Sequence, residues 1–223
     1  MGTPWNLRRL REHAKANSDA KILELLSALV RSDAIFRYHA SIAKQALEEF
    51  FNHQEAQSEQ NFLLIFGASE RQEEFVRGRI ASEANLIGCI NSTHNFLETF
   101  AQLVNRTALE NRIPIHDCSP SQVATILPLC ELKTQLLQLL ESPWHRYIQA
   151  FSNVSKHRQL IDHQVSISFI ANEVGAKVGA FDYRGVTYPS YWANDVLKGV
   201  IEVKDRGIEL GNCLNRHVEI QNS

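Results

Sequence analysis

Leu86-Ile-Gly-Cys-Ile-Asn-Ser-Thr-His-Asn-Phe-Leu-Glu-Thr-Phe-Ala-Gln-Leu-Val104 carries two apolar seams side by side. One runs Leu86, Cys89, Thr93, Phe96, Phe100, Leu103; the other runs Ile87, Ile90, His94, Leu97, Ala101, Val104. Steps of three and four residues keep each seam on one side of an α-helix, and two adjacent seams make a wide buried face. A helix with so wide a face needs other helices around it. The periodic region extends from about Ser69 to Leu109. Proline occurs only at positions 4, 114, 120, 128, 143 and 189, which leaves long intervals free for unbroken helix.

Upstream, Ile22, Leu25, Leu26, Leu29, Ile35, Ile42, Ala46 and Phe50 trace a stripe that predicts a helix from about Ser18 to Gln57, with a break near Ser32–Asp33. Downstream, Arg112–Pro120 reads as a loop. Ser119-Pro120 has the form of an N-cap followed by proline in the first turn, opening a leucine-rich helix to Leu140 that Pro128 kinks. Ser142-Pro143 repeats the cap and opens a helix read as Trp144–His163. The period then changes to two in Val165-Ser-Ile-Ser-Phe-Ile170, and Phe181-Asp-Tyr-Arg-Gly-Val-Thr-Tyr188 sets aromatic and β-branched residues around a glycine turn. These two features predict a small β-hairpin within about residues 165–188, before a last helix from Tyr191 to His217. The expected fold is mainly α: an up-and-down bundle of four to five helices, in a single domain over residues 1–223, with the hairpin inserted before the final helix.

The 223 residues are 44% hydrophobic and 22% charged, which suffices for a core without covalent staples. The net charge of −2 excludes a protein that coats duplex nucleic acid through general basicity, so any such contact must be local. Cys89, Cys118, Cys130 and Cys213 form no C-x-x-C pair and stand at no zinc-ligand spacing, so reduced thiols are expected, with no metal and no cofactor. Arg8, Arg9 and Arg11 are not followed by an apolar segment of signal-peptide length, and the longest apolar run is Phe62–Phe66. The expectation is a soluble cytoplasmic chain with no membrane segment.

The candidate functional residues lie on the fourth helix as read. Its seam is Trp144, Tyr147, Phe151, Val154, position 158 and Ile161, and position 158 is arginine. A fixed cation at a core-spaced position must meet a carboxylate, reach solvent, or face a second subunit, because burying it alone costs several kcal/mol. Asp162, four residues on, could satisfy it as a helical pair. Glu83, on the otherwise apolar seam of Ile87, Ile90 and Leu97, is the most attractive carboxylate elsewhere. Asn153, Lys156, His157 and His163 gather on another face of the same helix, so Arg158 and His163 converge only if the helix bends, frays near Asp162, or is used by two subunits at a shared seam.

Arg158-Gln-Leu-Ile-Asp-His163 has the form R-x4-H. It resembles the signature of HEPN domains, a superfamily of small helical bundles, and Asn153-x-x-Lys156-His157-Arg158 resembles an N-x-x-K-H-R variant in uncharacterised bacterial HEPN-like proteins. The resemblance implies metal-independent RNA cleavage at a dimer groove, in a toxin or defence effector. Arg158 would stabilise charge on the scissile phosphate, and His163 would act as general base or acid toward the 2′-hydroxyl. Asn153, Lys156, His157 and Glu83 would serve binding and positioning. Gln159 stands where catalytic members often carry Asn, Asp or His. The chemistry is sound in kind, since an arginine fork matches phosphate and histidine titrates near neutrality.

Three readings compete: a HEPN-like endoribonuclease; a non-catalytic HEPN-like module binding a nucleotide, an RNA or a protein; and an unrelated helical protein in which Arg158 is a structural ion pair. The expected partners are RNA, a second copy in a homodimer built partly on the Arg158 seam, and an antitoxin or other partner protein.

Overall fold

The computed structural model describes residues 4–221, the last three by backbone alone. Among them are eight helices: α1 (Arg8–Ala16), α2 (Ala20–Gln45), α3 (Glu59–Ile65), α4 (Gln72–Ala108), α5 (Pro120–Ile126), α6 (Glu131–Glu141), α7 (Pro143–His157) and α8 (Ala193–Gln221). Between α7 and α8 lie β1 (His163–Ser168), β2 (Glu173–Val178), β3 (Phe181–Tyr183), β4 (Val186–Tyr188) and β5 (Tyr191–Trp192). The mainly helical class and the small antiparallel sheet region before the last helix are as expected. No strand occurs before His163 among the described residues, and no helix there is long and apolar enough to cross a membrane.

The helix count of four to five is too low, for local reasons. The Ser18–Gln57 helix stops at Gln45, because the buried side chain of Asn61 collects the chain that follows. Its amide donates to the carbonyls of Asn52, Glu55 and Ala56 at 3.0, 3.2 and 3.1 Å and its oxygen accepts from the Asn52 N–H at 2.9 Å. That loop leads to α3, which the side chain of Ser58 caps through the Asn61 N–H. Pro128 does not kink one helix but separates α5 from α6. The short α1 adds a further helix, and with only Leu10 and Ala14 buried it carries too short an apolar stripe to stand out in the sequence. The first seam of α4 holds in full, with Leu86, Cys89, Thr93, Phe96, Phe100 and Leu103 all buried; the second is buried at Ile90, Leu97, Ala101 and Val104, while Ile87 and His94 are half-buried.

The chain divides into two compact units, and α2, α4, α7 and α8 each contribute to both. The first comprises Met1–Ile35, Ser92–Ile148 and Ile201–Ser223. In it the Trp5 indole meets Phe96 and Phe100 edge-on at 6.5 and 5.9 Å, and the amides of Asn212 and Asn215 hold the main chain of Asn6.

The second unit comprises Phe36–Asn91 and Gln149–Val200 and contains every strand. β2 is central to a three-stranded antiparallel sheet, order β1-β2-β5. Val174, Ala176 and Val178 of β2 are buried, and Val174 and Ala176 join a core with Leu47, Phe50, Phe51 and Phe75. β3 and β4 form a separate hairpin. Its two turn residues, Arg184 and Gly185, have φ of 51° and 79°, the left-handed pair that suits strand twist in a two-residue turn. The single hairpin expected over residues 165–188 is therefore two antiparallel systems, beginning at His163 and reaching Trp192.

Candidate functional site

Helix α7 ends at His157, not His163. Val154 closes it, its carbonyl accepting from the N–H groups of Arg158 and Gln159 at 2.9 and 3.3 Å. From His163 to Ser168 every residue pairs with β2, His163 opposite Val178, and the Gly179 N–H extends the pairing to the Asp162 carbonyl at 2.8 Å. The alternating run thus captures the chain before the helical register reaches position 163. Arg158 is a turn residue and His163 opens a strand. The register that put Arg158 on a core seam, and with it the argument for a dimer through that seam, lapses here.

α7 is seated by side chains placed as the sequence suggests. Tyr147, Phe151 and Val154 are buried. The Ser152 hydroxyl donates to Asn91 Oδ1 of α4 at 2.9 Å. Phe151 meets Phe181 of β3 edge-on at 5.9 Å, and Phe181 stacks on its ladder partner Tyr188 at 5.0 Å. This aromatic chain carries the β3–β4 hairpin to the end of α7. There Arg158 Nη1 donates to the Asp182 carbonyl at 3.4 Å, and its guanidinium lies 5.8 Å from the centre of the Tyr183 ring. The Arg184 guanidinium lies 5.2 Å from the same ring.

Arg158 makes no ion pair with Asp162 or Glu83 among the described residues, and its side chain is exposed in the single chain. Lys156 and His157 are exposed beside it in the last helical turn, where the helix dipole favours cations. Asn153 is half-buried and turned back on its own helix, its amide donating to the Gln149 carbonyl at 2.8 Å. Arg158 and Arg184 thus bring two cations to one aromatic ring, near the exposed cationic end of α7. In the sequence Tyr183 and Arg184 carry only the marks of a hairpin, and no local signal links them to Arg158.

His163 and Glu83 belong to a different environment. His163 is 8% exposed, and neither ring nitrogen has a hydrogen-bond partner. Burial pushes its pKa below the ordinary 6.5 and Arg79 lowers it further, while its own main chain and Asp162 favour the charged ring without reaching hydrogen-bond geometry. Half-buried Glu83 feels the same neighbours. Burial raises its pKa, Asp162 adds to the rise, and Arg79 opposes it. Arg79 and Asp162 thus act on both Glu83 and His163, and nothing in the sequence near the motif points to Arg79. The sequence-predicted residues therefore separate: Lys156, His157 and Arg158 are each exposed at the end of α7, whereas His163 is buried and, like Glu83, feels Arg79 and Asp162. Among the described residues no group of His, Cys, Asp and Glu is arranged to hold a metal ion.

Comparison with family models, curated proteins and solved structures finds no match to this chain.

Proposed function

We propose that this chain is a non-catalytic HEPN-like helical module of the cytoplasm that binds single-stranded RNA through Lys156, His157, Arg158, Tyr183 and Arg184. The observation that carries the reading is that two guanidinium groups share the Tyr183 ring, at 5.8 and 5.2 Å. Arginine forks suit phosphate oxygens, and an aromatic ring among cations is the usual platform for an unpaired base. The patch is local, as a chain of net charge −2 requires. Burial of His163 also favours binding over cleavage. A general base must come within about 3 Å of the proton it takes, and both ring nitrogens of His163 are shut away from solvent.

A second reading keeps the resemblance whole: a metal-independent endoribonuclease, a toxin or defence effector, using Arg158 and His163. Its support is that the His163 imidazole is held without a partner, so opening of the loop 158–162 would present a neutral base.

One experiment separates them. Fluorescein-labelled single-stranded RNA is titrated with protein over a range of salt, and the same mixtures in EDTA are run on a denaturing gel. Binding should weaken with salt, and Arg158→Ala and Arg184→Ala should each lower the log–log salt slope by about 0.7, the single-strand value per phosphate contact. Tyr183→Ala should cost about 1–3 kcal/mol. Intact RNA with these losses supports the module. Cleavage to 2′,3′-cyclic phosphate ends that His163→Ala abolishes supports the enzyme. No binding at low salt refutes the first reading.

A further inference from the structure

The second unit displays an apolar surface that its own chain leaves open. Phe66 is 77% exposed, Phe169 58% and Ile170 fully so. Phe62 stacks between the two aromatics, its ring centre 6.1 Å from Phe66 and 6.2 Å from Phe169, with interplanar angles of 12° and 28°. Three roughly parallel, stacked rings therefore form a continuous aromatic wall from the C-terminal end of α3 to the β1–β2 turn. Exposed apolar residues scattered singly are ordinary, but a contiguous aromatic patch marks an interaction surface.

The wall stands on a fixed support. Asn61 binds the loop before α3 through the four hydrogen bonds described above. Asn172, at φ 48°, ties the β1–β2 turn to the same loop: its Oδ1 accepts from the Ala56 N–H at 3.0 Å and its Nδ2 donates to the Gln54 carbonyl at 3.1 Å. Rings held this way lose little freedom on binding, which is what a preorganised docking surface offers.

Charge selects the occupant. Residues 45–74 hold seven glutamates and one arginine. That arginine, Arg71, is already paired with Glu49 and Glu74. Glu59 opens α3, Glu55 and Glu70 lie before and after it in the chain, and all three are exposed. A second copy would bring acidic rim against acidic rim, and an anionic bilayer would be repelled. We propose that this surface docks a protein segment whose aromatic or aliphatic anchors are flanked by lysine or arginine, with the anchors against the Phe62–Phe66–Phe169 wall and the cations over the glutamates. Apolar contact would supply affinity, and complementary charge the choice of partner and the rate of encounter.

The test uses the full chain and a fluorescein-labelled synthetic peptide in which leucine–phenylalanine pairs alternate with lysine pairs, beside its glutamate counterpart. The lysine peptide should bind saturably and the glutamate peptide should not. The double variant Phe66→Ser, Ile170→Asn should weaken binding roughly tenfold or more while melting close to the parent, since Ile170 is fully exposed and Phe66 is mostly so, touching the chain through its stack on Phe62. Glu55→Gln with Glu59→Gln should weaken it roughly two- to fivefold and reduce its salt dependence. Equal binding by parent and double variant, or equal binding of both peptides, overturns the proposal. So does self-association, or flotation with phosphatidylcholine vesicles, that the double variant loses.

Discussion

Replacing His163 with leucine should stabilise the protein. Position 163 is 8% exposed, and the neutral ring must carry one N–H and one acceptor nitrogen, neither of which has a partner. A buried polar group without a partner costs about 1–3 kcal/mol, and leucine removes it while keeping an apolar side chain of similar size on the inward face of β1. The expected gain at pH 7.5 is therefore about 1–3 kcal/mol. The pH dependence gives an independent check. Above the ordinary pKa of 6.5 the imidazole is neutral in folded and unfolded chains alike and contributes no slope. Below it the unfolded chain takes up a proton that the folded chain, its His163 pKa lowered by burial, does not. Stability then falls with pH by up to about 1.4 kcal/mol per unit for each such histidine. His145, also lowered chiefly by burial, contributes in the same direction and remains in the variant. Glu83 acts oppositely, its pKa being raised in the folded state, and it matters nearer the carboxylate range. Urea unfolding followed by circular dichroism at pH 7.5, 6.5 and 5.5 should show the advantage of His163→Leu growing as the pH falls. A variant less stable than the parent at pH 7.5, with the parent's full acid sensitivity, would show that His163 is paired in the folded protein and would refute the reasoning.

Buried Lys204 has its ammonium 3.2 Å from Asp33 Oδ1 and 3.3 Å from the centre of the Phe96 ring; Asp33→Ala should cost about 3 kcal/mol or more in urea unfolding, while replacing both partners together, Asp33→Leu with Lys204→Met, should be near neutral or stabilising, as for buried ion pairs replaced by apolar groups. At Gly211 an added Cβ would lie 2.2 Å from the Trp5 ring, so Gly211→Ala should displace the indole, cost about 1–3 kcal/mol and shift tryptophan emission to the red. Burial pushes the Cys89 thiol up to about 12 and those of Cys118 and Cys213 to about 11, and Cys130 is the one cysteine not buried. Ellman titration of the native protein at pH 8 should therefore find one fast thiol, and all four should react in denaturant.

The sequence alone determined the helical class, the buried face of α4, the serine–proline starts of α5 and α7, and the existence of strands after residue 163. These rest on short-range periodicity and on caps whose partners lie within a few residues. Each repeats often enough to outweigh a single exception such as Arg158. Tertiary structure decided the rest. Helix α7 ends at His157 because six consecutive residues from His163 find ladder partners in β2, a pairing that no window on the motif itself contains. Tyr183 and Arg184 join Arg158 because the ring contacts from Phe151 to Phe181 to Tyr188 carry a hairpin to the end of α7. Arg158 and His163 are five residues apart in the chain, yet one is in solvent and the other is buried. Side-chain environment follows from what packs overhead, and spacing along the chain carries no record of it.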